Sequence, residues 1–335
     1  MADVSDLLRR DADEDRAQII LITGLTLAVL LVAVVLLLNT VIYTENLATR
    51  GADAGGAEAI EFRDDTVDDL AGILEREHRN ASSLTNVSDC DGTQIFGSFN
   101  SSARAYDRTV ADFRARDATV TDLRVRGSEA ECGYFIAQNE TASGFRELTD
   151  PNGTADWTVA SDANRTRNFR LTVDNASLAG PTGSPFTVVA DSTAGGTNET
   201  WSVTLVDSGG DLNVTVDNGT TTVSETFEPR QDGNHTVDLT GGTVNGEPFD
   251  ALVWAEGVQN ENGTAPFEIR YKNGSEARGT YSLVVDGRDG SSPLSSTSRP
   301  YVVDAVYGVD VEIRHRTPEL TYGDVVRLAP GERDA

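Results

Sequence analysis

Hydrophobic and polar positions change their period twice along the chain, and each change marks a new kind of element. From Ile19 to Leu38 the sequence reads IILITGLTLAVLLVAVVLLL, twenty residues without a charge. As a helix this run is about 30 Å long, the thickness of a bilayer's hydrocarbon core. It is apolar all round and lacks the polar stripe of a helix lying on a soluble core. Thr23 and Thr26 fit such a helix because their hydroxyls can bond back to its own carbonyls. The pattern predicts a transmembrane helix over 19–43, with membrane lipid as the partner of 19–38. Residues 1–18 precede it as a cytoplasmic segment, and 44–57 follow as a linker ending in GADAGGA. Beyond the linker, Ile60, Val67, Leu70, Ile73 and Leu74 fall at helical spacing, so 57–78 reads as an amphipathic helix. Ile95, Phe96, Phe99, Ala103, Tyr106, Val110 and Phe113 repeat the pattern over 94–115. Their apolar stripes are expected to pack on the sheet that follows.

From Thr119 the period becomes two, interrupted by Gly, Asp and Asn clusters. Strands are predicted at 119–126, 132–138, 167–174, 186–190, 200–206, 211–217, 220–227, 235–239, 251–257, 266–272, 279–285, 300–314 and 322–328. Asn218-Gly219 and Asn273-Gly274 each lie between two such runs, where hairpin turns belong. Helical crossovers, which parallel strands require, are missing from this half. The expected fold is α+β: a transmembrane helix, two amphipathic helices, then a mostly antiparallel β-sandwich ectodomain. Its domains would be a helical/β subdomain over 58–150 and the sandwich over 151–335.

Charge narrows the setting. Acidic residues outnumber basic ones 54 to 27, a formal charge of −27, and Lys272 is the single lysine. No basic patch of the kind that binds nucleic acid stands out, so that partner is not expected. An acidic, lysine-poor, Thr- and Gly-rich composition resembles that of halophilic archaeal proteins. Physically it is a coat of hydrated carboxylates that keeps a protein soluble when salt screens repulsion.

Arg9, Arg10 and Arg16 precede the apolar run, and Arg50 alone follows it closely. The positive-inside bias then places the N-terminus in the cytoplasm and the chain beyond about residue 45 outside the cell membrane, in a single pass. At the junction, Asp15-Arg16-Ala17-Gln18-Ile19 resembles an archaeal class III prepilin signal. That resemblance implies cleavage by a membrane peptidase between Ala17 and Gln18, and packing of the freed helix in a filament core with other pilin-like subunits. Bacterial-type pilins carry a Glu five residues into the mature chain, where this sequence has Ile22. The layout as a whole resembles single-span haloarchaeal proteins of the pilin-like type. A plain signal anchor with an incidental Arg-Ala-Gln is the other reading of the same residues.

Thirteen Asn-x-Ser/Thr sequons occur, all after residue 50, against about three expected by chance. Among them Asn152, Asn218, Asn262 and Asn273 are followed by Gly, so they are expected in exposed turns and are the preferred candidates for N-glycosylation. A mid-strand Asn such as Asn213 is expected to compete with sheet packing. Cys90 and Cys132 are the only cysteines. Outside the membrane they are expected to form a disulfide, without a redox role because no Cys-x-x-Cys is present.

Reactive constellations are scarce. His78, His235 and His315 lack metal-ligand spacing and read as packing or surface residues. No Walker, Rossmann or Gly-x-Ser-x-Gly pattern occurs. Asp286-Gly287-Arg288-Asp289-Gly290 lacks the bidentate Glu of a calcium loop and reads as a turn. Trp157, Trp201 and Trp254 read as core or edge packing. The expectation is a non-enzymatic envelope protein without catalytic residues, metal or cofactor, serving a surface filament or secretion assembly. The alternative is a membrane-tethered extracellular binding or sensing module that does not polymerise.

Overall fold

A computed structural model describes residues 21–40, 56–85, 90, 92–192, 200–258, 266–288 and 292–331. Ala17, Gln18, Asn262 and most of the linker 44–57 lie outside the described residues. The chain divides into two units. One contains the apolar helix and the start of the next helix, through Glu61; the other runs from Phe62 to Arg316 and resumes at Tyr322.

In the first unit, α1 (Leu21–Thr40) is a 20-residue helix with no buried residue. Its thirteen large apolar side chains are between 46% and 71% exposed. Thr26 Oγ1 donates to Ile22 O at 2.7 Å and Thr40 Oγ1 to Leu36 O at 2.8 Å, so these hydroxyls are satisfied without an outside partner.

The second unit holds most of α2 (Gly56–Asn80) and all of α3 (Gln94–Arg114). α3 starts where Thr93 Oγ1 accepts the Phe96 N–H, satisfying one of the free donors of the first turn. It ends by way of Ala118 in the left-handed region, φ 58°. Fifteen strands are described: β1 (Val120–Gln138), β2 (Arg146–Glu147), β3 (Trp157–Ala163), β4 (Thr166–Asp174), β5 (Phe186–Ser192), β6 (Thr200–Ser208), β7 (Asp211–Asp217), β8 (Thr222–Phe227), β9 (Asn234–Asp238), β10 (Thr243–Val244), β11 (Glu247–Pro248), β12 (Phe267–Lys272), β13 (Arg278–Val285), β14 (Tyr301–Arg316) and β15 (Thr321–Leu328).

They form two sheets. The larger has nine strands in the order β11-β10-β9-β4-β13-β1-β14-β15, with β2 beside β13; the smaller has six, in the order β3-β12-β5-β6-β7-β8. These strand pairings are antiparallel, and no α-helix follows β1 among the described residues. One continuous core lies between the sheets, with Ile136, Phe169 and Leu283 from the larger meeting Trp201, Phe267 and Tyr271 from the smaller. A second core joins Leu70 and Leu74 of α2 and Phe96 and Phe99 of α3 to Leu123, Val311 and Ile313 of the large sheet. Both helices therefore put most of their apolar stripes on that sheet, but Ile60 and Phe113, expected in the stripes, are exposed. The protein is α+β, with a mostly antiparallel, sandwich-like domain. β1 is an interior strand between β13 and β14, so residues on both sides of position 150 share one sheet.

Four local readings are corrected. The runs 119–126 and 132–138 are one strand, β1, whose register against β14 shifts between Arg126 and Cys132. The segment 251–257 is a succession of turns with Ala255 at φ 51°; it was expected to be a strand because Leu252 and Trp254 alternate, but both are buried as loop residues. Strand β3 was not expected at all. Its alternation is broken by Ala160 and by Asp162 at φ 58°, and its register against β12 is irregular. Finally, Asn273-Gly274 is no hairpin. It connects β12 of the small sheet to β13 of the large one, and a Cβ on Gly274 would lie 2.2 Å from Leu148 O.

Candidate functional site

The feature with the clearest demand on its surroundings is α1. It has no charged residue, it bonds its own hydroxyls, and it leaves every apolar side chain exposed. Covering thirteen such side chains is worth on the order of 20 kcal/mol or more. By length and composition the helix can cross a membrane, as an anchor or as a signal sequence does.

The sequon asparagines differ in how free they are. Asn152 is exposed, in a turn where Asp150 Oδ1 accepts the N–H groups of Asn152 (2.8 Å) and Thr154 (2.7 Å), and its side chain makes one long bond, Nδ2 to Asp150 Oδ2 at 3.4 Å. Asn218 does sit in the β7–β8 hairpin, yet its side chain is engaged. Oδ1 accepts from the N–H groups of Thr220 and Thr221, and Nδ2 donates to Glu256 Oε2 at 2.9 Å. Asn273 is half-buried in the left-handed region, φ 55°, with Nδ2 donating to Pro185 O at 2.9 Å. The idea that an Asn-Gly turn projects its asparagine outward therefore fits Asn152 best. Asn213 is tied to Thr226, Thr215 and Ser224 along the β7–β8 ladder, as a mid-strand position implies. Asn175 is buried, donating to Gly210 O at 2.6 Å and to Asp207.

Cys90 and Cys132 are bonded, with Cα atoms 5.2 Å apart, and tie the entry to α3 to the bulge of β1. All three histidines are buried. Among the described residues, no group of three or more His, Cys, Asp or Glu side chains is placed to hold a metal. Asp286 accepts the backbone N–H groups of Asn164 and Arg165 and the Arg165 Nε at 2.9–3.0 Å, the role of a turn anchor. Trp201 and Trp254 stack edge-to-face at 5.1 Å within the inter-sheet core, and Trp157 donates its Nε1–H to Leu148 O.

One cluster left no trace in the sequence pattern. Arg167 of β4 is fully buried and donates to three carbonyls: Tyr307 O (2.6 Å), Val306 O (2.8 Å) and Pro330 O (2.9 Å). Beside it His78 of α2 accepts the Val306 N–H on Nε2 at 3.2 Å and stacks on Phe135. Burial, and then the Arg167 charge, hold the His78 imidazole well below its usual pKa, so it is neutral. Asp304, also buried, accepts from Thr85 N and Thr85 Oγ1 and pins the segment after α2 to β14. These groups staple elements together. Their partners are between 139 and 228 residues apart, too far for any local pattern to signal.

These features define an α+β protein with, among the described residues, one helix long and apolar enough to cross a membrane, and with a two-sheet antiparallel domain. A model of a family of unknown function (DUF7261) matches residues 13–153, which take in α1, α2, α3 and β1. No curated protein is similar to the chain.

Proposed function

We propose that this chain is a non-enzymatic, single-span protein of the cell envelope, pilin-like in its anchor, that serves a surface filament or secretion assembly as component or accessory. Its N-terminus faces the cytoplasm and the two-sheet domain faces outward. The observation that carries the reading is the exposure of α1 along its whole length. Lipid meets that demand first, and the α1 helices of other copies meet it after processing. The Arg16-Ala17-Gln18 junction supports cleavage. Sequencing the N-terminus of the native protein tests it: Gln18 as first residue is expected, and an intact start removes the pilin-like reading. A tethered binding module that never polymerises is favoured by one residue, Ile22, which stands where bacterial-type pilins carry a carboxylate.

The charge of −27 supports a high-salt setting. The protein is then expected to hold its circular dichroism spectrum in molar salt and lose part of it on desalting, as unscreened carboxylates repel. An unchanged spectrum removes the halophilic reading.

A further inference from the structure

Residues 104–126 run from the middle of α3 into β1 and carry six arginines against four aspartates, in a chain whose formal charge is −27. Three of these arginines, Arg104, Arg108 and Arg124, line an open cleft of about 410 Å³ between α3 and β1. Arg104 and Arg108 are one helical turn apart and face the same side. Neither makes a salt bridge or hydrogen bond among the described residues. Arg124 comes from the opposite wall and is bridged to Asp122 at 3.2 Å. The cleft also contains a carboxylate, Asp107, but its Oδ1 accepts the Leu123 N–H at 3.0 Å, and burial raises its pKa above the usual carboxylate value. Under the arginines the lining is hydrocarbon: Leu70, Leu123 and Val311, all buried.

Unpaired guanidinium groups above an apolar floor suit a ligand that is anionic at one end and apolar at the other. Guanidinium forks match phosphate oxygens in geometry and charge. We propose that this cleft binds the phosphate headgroup of a membrane lipid, with the first carbons of its chains against Leu70, Leu123 and Val311. The choice of a lipid rests on the membrane reading above. It gives the positive stretch of an acidic protein an oppositely charged partner.

The test uses the full chain in neutral detergent, in the salt that keeps it folded. Short-chain phosphatidic acid, short-chain phosphatidylcholine and inorganic phosphate are titrated in turn, with binding read by ³¹P line broadening. Phosphatidic acid is expected to bind at least tenfold more tightly than the other two. The double variant R104Q/R108Q is expected to lose at least tenfold of that affinity at an unchanged melting temperature, since both side chains are exposed. Equal binding of inorganic phosphate would show a soluble-anion site, and an unaffected double variant or no binding at all would likewise overturn the proposal. Asn100 lines the cleft and heads a sequon. Peptide mapping of the native protein is expected to find it bare, because a glycan there would fill the mouth. Carbonate extraction separates the two readings. Release of the protein from native membranes removes the anchor itself, whereas retention together with an inert cleft removes only the lipid site.

Discussion

The two sheets are built from the same kinds of residue and are treated differently by their neighbours. In the small sheet, β7 alternates a half-buried and a buried position from end to end, and Thr204 and Thr215 face away from the core. In the large sheet, the first nine residues of β14, YVVDAVYGV, are all buried. Val302 belongs to the inter-sheet core, and its neighbour Val303 to a separate cluster with Phe135 and Tyr301. A sheet covered on one face keeps a strict period of two, and a sheet covered on both loses it. Arg167 and Asp304 inside the large sheet, and His78 of α2 packed against it, then need partners within the protein, and these three have them.

This contrast can be broken experimentally. The largest effect is expected from Arg167→Ala. It leaves two buried carbonyls and the part-buried Pro330 O without their donor, and denaturant unfolding is expected to show a loss of about 4 kcal/mol; a loss below about 1 kcal/mol would mean the cluster is not a staple. Next comes Val303→Thr, which puts a hydroxyl on the second buried face and is expected to cost about 2 kcal/mol. Its counterpart Thr204→Val, on the open face of the small sheet, breaks a hydroxyl pair with Thr187 and is expected to stay within about 0.5 kcal/mol. Equal effects from these two would erase the difference between the sheets.

A smaller effect depends on pH. His78 is held neutral in the fold and titrates near 6.5 when unfolded, so the unfolded chain binds the extra proton. This contribution is complete above about pH 6.5 and is lost as pH falls below it. His235, whose pKa burial also lowers, acts in the same direction. The unfolding midpoint of the wild type is expected to drop between pH 7.5 and 5.5. His78→Gln, which keeps an acceptor for the Val306 N–H, is expected to drop less; an identical slope would remove the role of His78.

Legibility in the sequence follows the same division. The small sheet's β6 and β7 fall at predicted positions because one wet face preserves alternation, and β5 does so as a short apolar run, buried on both faces at Val188–Ala190. Both amphipathic helices are legible for the same reason, at a different period. What failed depended on long-range placement. Asn273-Gly274 is a good local hairpin signal, but no local signal tells whether the next strand returns to the same sheet. β1 was split in two because the bulge near Glu131 interrupts its period without ending the strand. Gly279 shows how closely β13 and β4 approach, since a Cβ there would sit 2.2 Å from Thr172 O, yet in the sequence it is one glycine among 31. The arginine cleft was partly readable. The local charge of residues 104–126 reverses the sign of the whole, a signal that counting over the entire chain averages away.

The order of strands in the large sheet also sets a timetable. β1 lies in the middle, but its partners β13 and β14 begin about 140 and 160 residues after it ends. At ribosomal speeds of 5–20 residues per second, β1 waits on the order of 10–30 s for either neighbour. Through that interval its two edges are unpaired, and the carbonyls that accept from Arg167 do not yet exist. The domain cannot close before its final strands have been made, so a chain that leaves the ribosome into a translocation channel is still threadable when it gets there.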